Sequence, residues 1–232
     1  MSKKYKLTDE TINLNGATLY RIEALKGFGE IKKGDKGGFI ESENNLAHEG
    51  DAWVSDNAHV YGNACVFDNA RVYNNAFVSG YAQVYGNAFV YGNAWLYGNT
   101  HVCGYAWVAD NARVYGDANV CDDSSVFGSA LVYDNAHVYG DALVRGYACV
   151  CGDAEISNKS DYIVFQNWWS SGRYFTWTRS NNMWSVGCFY GTGEELIKKA
   201  YKDSELSGRE YERVVRYVES ILAEESLSKD TN

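Results

Sequence analysis

The chain has 232 residues, enough for one or two domains, with an ordinary apolar fraction of 46% and a net charge of −9. Because an acidic chain repels a phosphate backbone, polymeric DNA or RNA is not an expected partner. No segment approaches the ~20 apolar residues of a membrane helix, and the N-terminus lacks the apolar stretch of a signal peptide. We therefore expect a cytoplasmic protein with no membrane partner.

The first segment, residues 1–45, predicts a β-structured cap. Two strand-like stretches, Tyr5 to Leu14 and Ala17 to Ala24, flank Asn15-Gly16, a pair that favours a tight hairpin turn. We expect this cap to cover one end of the repetitive segment that follows, because an unpaired strand edge invites aggregation.

Residues 46–157 consist of a six-residue repeat. An aliphatic residue recurs at eighteen positions with a constant spacing of six, from Val54 to Ile156, and a small residue precedes each by two; that residue is alanine except at Thr100 and Ser124. The small and aliphatic residues alternate as in a short strand and point inward, while Gly-Asn or Asp-Asn pairs favour a corner. Three units close one triangular coil, so the repeat predicts an all-β solenoid, a parallel β-helix of about six coils.

The residue between each small and aliphatic residue points outward and falls on one of three faces. Face one carries Trp53, Arg71, Phe89, Trp107, Ser125 and Leu143; face two carries His59, Phe77, Trp95, Arg113, Leu131 and Cys149; face three carries Cys65, Gln83, His101, Asn119, His137 and Glu155. Faces one and two are rich in large apolar groups, which is unusual for a monomer. We predict a homotrimer whose interface includes Trp53, Phe89, Trp107, Phe77, Trp95, Tyr97 and Tyr115. The alternative is that the terminal segments cover these faces.

The repeat, as in YGNAFVYGNAWLYGNT (85–100), resembles that of the single-stranded left-handed β-helix superfamily. In that hexapeptide consensus an aliphatic residue is followed four positions later by a small one. The superfamily includes many acyltransferases and is usually trimeric, so the resemblance implies a left-handed coil, a trimer and an acyl-CoA substrate. Residues 37–54 and 161–192 resemble segments of uncharacterised prophage-encoded hexapeptide-repeat proteins, which implies a phage or prophage origin and a bacterial host.

Histidine and cysteine spacing predicts no catalytic residue, cofactor or metal site. His101 and His137 fall two coils apart on face three, roughly 9.6 Å from each other and too far to share one metal ion. Cys149 and Cys151 both point outward on face two, without the second cysteine pair that a zinc site needs. We interpret the six cysteines as small apolar fillers in a reducing compartment.

The last segment, residues 158–232, predicts a C-terminal cap made of a β-sheet and two helices. The predicted strands are Tyr162 to Gln166, Arg173 to Arg179 and Met183 to Tyr190, and the predicted helices are about 193–203 and 208–225. Thr192 with Glu195, and Ser207 with Glu210, each form a capping box at the start of a helix.

The middle strand of this cap offers a candidate binding site. Alternation places Arg173, Phe175, Trp177 and Arg179 on one face, with Trp168 and Trp169 nearby in sequence. Arginine binds phosphate or carboxylate in a bidentate manner and flat rings stack on bases, which predicts a pocket for a small nucleotide-like anion. Its predicted residues are Arg173, Trp177, Arg179, Trp168 and Trp169. The alternative is that Phe175 and Trp177 simply pack on the helices.

Three functions follow from the sequence. The first is a non-catalytic, phage-derived homotrimeric protein that binds a small anionic ligand, such as a host nucleotide signal, in clefts lined by aromatic residues and arginine. The second is an acyltransferase, favoured by the superfamily resemblance alone. The third is a scaffold or polymer-forming protein, favoured by the regular rows of outward aromatic residues.

Overall fold

The computed structural model describes residues 3–14 and 16–229. Its contacts divide the chain into two compact units, Met1–Asp161 and Tyr162–Asn232. The first unit contains both the N-terminal strands and the solenoid, and the second contains the C-terminal sheet and helices. Asn15, assigned to the hairpin turn from the sequence, lies outside the described residues.

The first unit is a parallel β-solenoid, which confirms the fold predicted from the repeat. Its coils stack through parallel strands in three columns, one of seven strands and two of six. The strands of the repeat are Trp53–Val54 (β4), His59–Val60 (β5), Cys65–Val66 (β6), Arg71–Val72 (β7), Phe77–Val78 (β8), Gln83–Val84 (β9), Phe89–Val90 (β10), Trp95–Leu96 (β11), His101–Val102 (β12), Trp107–Val108 (β13), Arg113–Val114 (β14), Asn119–Val120 (β15), Ser125–Val126 (β16), Leu131–Val132 (β17), His137–Val138 (β18), Leu143–Val144 (β19), Cys149–Val150 (β20) and Glu155–Ile156 (β21).

The register of these strands confirms the assignment of all three faces. Phe89 pairs with Trp107 on face one, and His101 pairs with Asn119 on face three. Every one of the eighteen aliphatic residues is buried, at 0% or 1% exposure, so the interior is a continuous stack of valine against alanine. The left-handed sense of the coil stays a prediction.

The corners of the coils depend on left-handed backbone conformations. Asp110, for example, has φ of 59°, and its carboxylate accepts a hydrogen bond from the Gly128 amide one coil later at 3.1 Å. Aspartate and asparagine tolerate this conformation better than other residues with a side chain, which explains their recurrence between the strands.

The N-terminal segment adds an incomplete coil that the six-residue spacing did not predict. The strands Tyr5–Leu14 (β1) and Ala17–Ala24 (β2) form an antiparallel hairpin, β2 pairs with Lys36–Ile40 (β3), and a short 3₁₀ helix spans Glu43–Asn45. Ile40 pairs in parallel with Val60, and Leu46 forms a bridge with Val66. In each pair the two residues are twenty positions apart rather than eighteen, so the extra coil falls outside the periodic pattern.

This segment also satisfies the free carbonyl groups of the first coils. The Lys4 ammonium donates to the Ala52 carbonyl at 2.8 Å, and the Tyr5 hydroxyl donates to the Leu46 carbonyl at 2.7 Å. Both side chains are fully buried, so the end of the solenoid is closed by hydrogen bonds as well as by apolar contacts.

Trp53 corrects the predicted oligomer interface. It is only 2% exposed, because the rings of Phe28 and Tyr5 pack edge-on against it at 5.4 and 6.3 Å between ring centroids. The N-terminal segment therefore covers this part of face one, as the alternative from the sequence allowed, and Trp53 is a core residue.

Two of the six cysteines depart from their interpretation as fillers in a reducing compartment. Cys103 and Cys121 form a disulfide between successive coils, whereas Cys65, Cys149, Cys151 and Cys188 are not disulfide-bonded. Cys151, expected to face solvent on face two, is only 2% exposed.

The second unit is an antiparallel sheet followed by two helices. The strands are Tyr162–Gln166 (β22), Tyr174–Thr178 (β23), Met183–Val186 (β24) and Phe189–Gly191 (β25), and the helices are Gly193–Asp203 (α1) and Glu205–Lys229 (α2). The capping box of Thr192 and Glu195 is confirmed. The capping box predicted at Ser207 and Glu210 is wrong, because α2 begins at Glu205. The Ser204 hydroxyl accepts a hydrogen bond from the Ser207 amide. Across the described residues, no helix has the length and apolar character needed to cross a membrane.

Candidate functional site

An open cleft of about 310 Å³ lies within the second unit, between the sheet and the helices. Its polar lining residues come from the loop between β22 and β23, from the end of α1 and from α2: Asn167, Ser170, Ser171, Arg173, Lys199, Asp203, Ser207 and Tyr211. Its apolar lining residues include Val186, Phe189, Leu196 and Ala200. The cleft thus combines an apolar wall with several hydrogen-bond donors.

Two cations and one carboxylate line this cleft. Arg173, Lys199 and Asp203 are all exposed, and none of the three forms an ion pair within residues 3–14 and 16–229. Two positive charges against one negative charge leave a local net charge of +1 in a chain whose total is −9. The Arg173 guanidinium lies directly over Gly187, where a β-carbon would collide with it.

The side of the cleft next to the core is held by a small hydrogen-bond network. The Asn167 side-chain amide donates to the Tyr211 hydroxyl at 3.0 Å, and its carbonyl oxygen accepts from the amide and hydroxyl of Ser170 at 3.0 and 2.9 Å. Burial raises the pKa of Tyr211, so this hydroxyl stays protonated and neutral. The network fixes the loop that carries Ser170 and Ser171 against α2.

The structure separates the five predicted ligand-binding residues. Arg173 lines the cleft, but Trp177 is 1% exposed and belongs to the apolar core of the unit, with its indole N–H donating to Asn182 at 2.8 Å. The prediction of Trp177 as a ligand contact is therefore wrong. The strand pattern correctly placed it beside Phe175, but the helices cover that face, as the alternative stated.

The remaining three residues lie outside the lining of the cleft. Arg179 forms an ion pair with Glu225 of α2 at 2.5 Å, and its guanidinium lies 5.6 Å from the Trp177 ring. Trp168 is 76% exposed, and Trp169 packs edge-on against Tyr211 at 4.9 Å. The loop therefore presents one tryptophan to solvent and uses the other to support α2.

Several residues of the cleft were not predicted from the sequence. Lys199 and Asp203 are on α1, and Ser207 and Tyr211 are on α2. Helical periodicity shows that positions four apart share a face, which would have grouped each pair. No local signal says that these two pairs meet the loop at Asn167.

On the solenoid, the outward aromatic residues vary in exposure. Trp95 is 44% exposed, Trp107 is 49% exposed and Tyr97 is 38% exposed. Phe77, Phe89 and Tyr115 are half-buried, and each has a ring contact with an aromatic residue one coil away. On face three, His101 and His137 both pair with Asn119 and so lie two coils apart. Within the described residues, no group of three or more histidine, cysteine or acidic side chains could hold a metal ion.

Comparison with known proteins supports the solenoid. A family model described as the YdcK Beta solenoid repeat matches residues 82–104, which lie in the middle of the stacked coils. A search of curated proteins finds no match to the chain. The similarity therefore covers a little more than one coil and concerns the repeat.

Proposed function

We propose that this chain is a non-catalytic binding protein that holds a small, nucleotide-like anion in the cleft of its second unit. The observation that carries the proposal is the presence of Arg173 and Lys199 in one cleft, without an ion-pair partner in the described part of the chain. Unpaired cations that share a concave surface with hydroxyl donors favour an anionic ligand over a neutral one.

The chemistry of the lining suggests how such an anion would bind. The Arg173 guanidinium offers a planar pair of donors to a phosphate or carboxylate, and the Lys199 ammonium adds a second positive charge. The hydroxyl of Ser171 can donate to a further oxygen of the anion. The apolar wall at Phe189 is suited to the ring or sugar of a nucleotide.

Calorimetric titration with adenosine monophosphate and with inorganic pyrophosphate tests this proposal. We expect binding by the wild-type chain and a loss of affinity of about tenfold in Arg173→Gln, because a charge-assisted hydrogen-bond pair is removed. Arg179→Gln is the matched control, since Arg179 pairs with Glu225 and does not line the cleft. Equal affinity in wild type and Arg173→Gln would contradict the proposal, and so would absence of binding at about 1 mM of either probe.

We also propose that the chain self-associates, with a homotrimer as the simplest closed assembly. Trp95 and Trp107 support this part of the proposal because they expose large apolar rings on two faces of the solenoid. Analytical ultracentrifugation of the wild type and of Trp107→Glu measures it, and a wild-type monomer would contradict it. The origin in a phage or prophage, and a bacterial cytoplasm as the setting, rest on the sequence resemblance.

A scaffold or polymer-forming role is the second candidate function. It is favoured by the outward rows of aromatic side chains on the solenoid, such as Tyr97, Tyr115 and Tyr133, which recur at the coil spacing. A discrete trimer with no larger species at high concentration would argue against it. The acyltransferase alternative rests on the superfamily resemblance alone, and titration with acetyl-CoA is its direct test.

A further inference from the structure

Stacked rings run along the solenoid at the positions directly after the inward aliphatic residues; each such row is called a ring column here. In the ring column of face two, Tyr97 stacks on Tyr115 at 4.9 Å between centroids and 3° between planes, and Tyr115 stacks on Tyr133 at 4.8 Å and 1°. Tyr73 and Tyr91 form the same contact on face one, at 4.9 Å and 5°. Each ring thus stacks on the ring one coil away, at the strand spacing.

Small residues interrupt these columns. Face two reads Tyr61, Ser79, Tyr97, Tyr115, Tyr133, Cys151; face one reads Ser55, Tyr73, Tyr91, Ala109, Phe127, Arg145; face three reads Phe67, Tyr85, Cys103, Cys121, Tyr139, Ser157. On face three, the disulfide fills the gap between Tyr85 and Tyr139. Ser79 and Ala109 leave gaps of a single ring on the other two faces.

Cavities lie at both of these gaps. One of about 430 Å³ is lined by Tyr61, Ser79 and Tyr97, which are consecutive members of the face-two column. Another of about 310 Å³ is lined by Tyr91, Ala109 and Phe127, which are consecutive members of the face-one column. The remaining walls of the larger cavity are Leu14, Phe77, Trp95, Leu96 and Arg113. A missing ring therefore coincides with a concave apolar surface in both columns.

We propose that the larger cavity, the Ser79 slot, binds a planar aromatic molecule that carries an anionic group. Tyr61 and Tyr97 are two coils apart, roughly 9.6 Å, so a flat ring over Ser79 lies about 4.8 Å from each. This spacing is the one at which the protein stacks its own rings, so the ligand takes the place of the missing ring. The slot belongs to the first unit, and the proposal is independent of the anion cleft in the second unit.

Charge decides which aromatic molecule fits. The Arg113 guanidinium lies 5.3 Å from the Trp95 ring centroid at the rim of the slot, is exposed, and forms no ion pair among the residues described. It is placed to meet a carboxylate or sulfonate on a ring that stacks in the slot. At the Ala109 gap the corresponding charged residue is Asp110, which disfavours an anion. An anionic aromatic molecule should therefore choose the Ser79 slot.

Calorimetric titration of the full chain with naphthalene-2-sulfonate tests the proposal. We expect a dissociation constant of about 1 mM or tighter for wild type, as befits a small ligand. Ser79→Tyr restores the missing ring and should weaken binding at least about tenfold, whereas Ser79→Ala keeps the slot open and should bind as wild type does. Ala109→Tyr fills the other gap and serves as the matched control with unchanged affinity.

Substitution of Arg113 tests separately whether its charge contributes to binding. Arg113→Gln should weaken binding of the sulfonate by about tenfold and leave binding of neutral 2-naphthol unchanged. Equal affinity of Ser79→Tyr and Ser79→Ala would overturn the proposal, as would absence of binding to the wild type. Ultracentrifugation of the same variants identifies a competing occupant: if Ser79→Tyr alone dissociates an oligomer, a ring from a second copy fills the slot and the small-molecule proposal is wrong.

Discussion

Thr100 is one of two residues that replace alanine inside the solenoid, and its environment makes it a weak point. Its hydroxyl is buried and has no hydrogen-bond partner within the described part of the chain. Replacing the hydroxyl by a methyl group of similar shape removes the cost of burying an unpaired polar atom. We expect Thr100→Val to raise the free energy of unfolding by about 1–2 kcal/mol. Urea unfolding measures this change as a higher midpoint, with the dependence of the free energy on urea concentration unchanged.

Ser124, the other replacement, supplies the matched control for this prediction. Its hydroxyl donates to the Cys121 carbonyl at 2.6 Å, so the polar atom is satisfied. Ser124→Ala should therefore lower the free energy of unfolding by about 1 kcal/mol. If both substitutions change stability in the same direction, burial of the unpaired Thr100 hydroxyl is not what distinguishes the two sites.

His59 should make the stability of the first unit depend on pH. Its ring stacks between Phe39 and Phe77 at 5.7 and 4.7 Å, and its Nδ1 atom is buried without a partner in the described residues. Burial, with a smaller contribution from Arg21, lowers the pKa of His59 below 6.5. The unfolded chain therefore binds the proton more readily, so stability is full above pH 6.5 and falls as the pH drops towards the folded-state pKa.

The substitution His59→Phe isolates this effect. It keeps a ring in the stack and removes the titrating group, so the difference in stability between variant and wild type should grow as the pH falls from about 7.5 to about 5. Urea unfolding of both proteins across this pH range measures that difference. The contributions of the other titrating groups are the same in both proteins and cancel. A constant difference would show that His59 does not carry the acid sensitivity.

At the scale of the element, the corners between coils limit what the repeat can tolerate. Gly98 and Gly146 both have positive φ, at 83° and 68°, so alanine is strained at either position. A β-carbon at Gly98 would lie 2.6 Å from the Gly116 carbonyl oxygen of the next coil, whereas at Gly146 it would meet nothing within 4 Å. Alanine would therefore strain the backbone at both corners, but it would collide with the next coil only at Gly98.

This difference predicts unequal costs for the same substitution. Gly146→Ala should lower the free energy of unfolding by about 1 kcal/mol, the cost of the left-handed conformation alone. Gly98→Ala should cost at least about 2 kcal/mol more, because the next coil must move away. Thermal and urea unfolding of the two variants compare these costs directly. Equal destabilisation would mean that the coils separate freely at the corner.

The elements most accurately predicted from the sequence are those that repeat. The same local pattern occurs in all eighteen units. The position of each strand, and the face on which each outward residue lies, can therefore be predicted without any knowledge of distant contacts. The incomplete first coil was missed because Ile40 and Leu46 pair at a separation of twenty rather than eighteen. The Cys103–Cys121 disulfide could have been inferred, since both follow an inward valine one coil apart on face three.

The candidate sites were less predictable, because alternation groups residues on a face but does not say what covers that face. Phe175 and Trp177 share a face as expected, yet the two helices bury it. Trp53 points outward from its strand, yet Phe28 covers it from far along the chain. Arg173 was chosen for the same alternation and for the affinity of arginine for anions, and of the five predicted ligand-binding residues it alone lines the cleft.

At the scale of the whole molecule, the described residues form two separate apolar cores. One is the stack of valine and alanine inside the solenoid, and the other is the aromatic cluster of the second unit around Phe175, Trp177 and Trp184. Each core is formed by residues of a single unit. We therefore expect the two units to unfold in separate transitions, because neither core needs the other to remain buried.

One substitution in each core tests this independence. Trp184→Ala should lower the transition temperature of the second unit, at a cost of about 3–5 kcal/mol, and leave that of the solenoid unchanged. Val108→Ala should have the opposite selectivity, at a cost of about 2–3 kcal/mol to the solenoid, since it opens a cavity in one coil and weakens its contacts with both neighbours. Differential scanning calorimetry resolves the two transitions. A single transition that shifts with both substitutions would show that the units fold as one cooperative body.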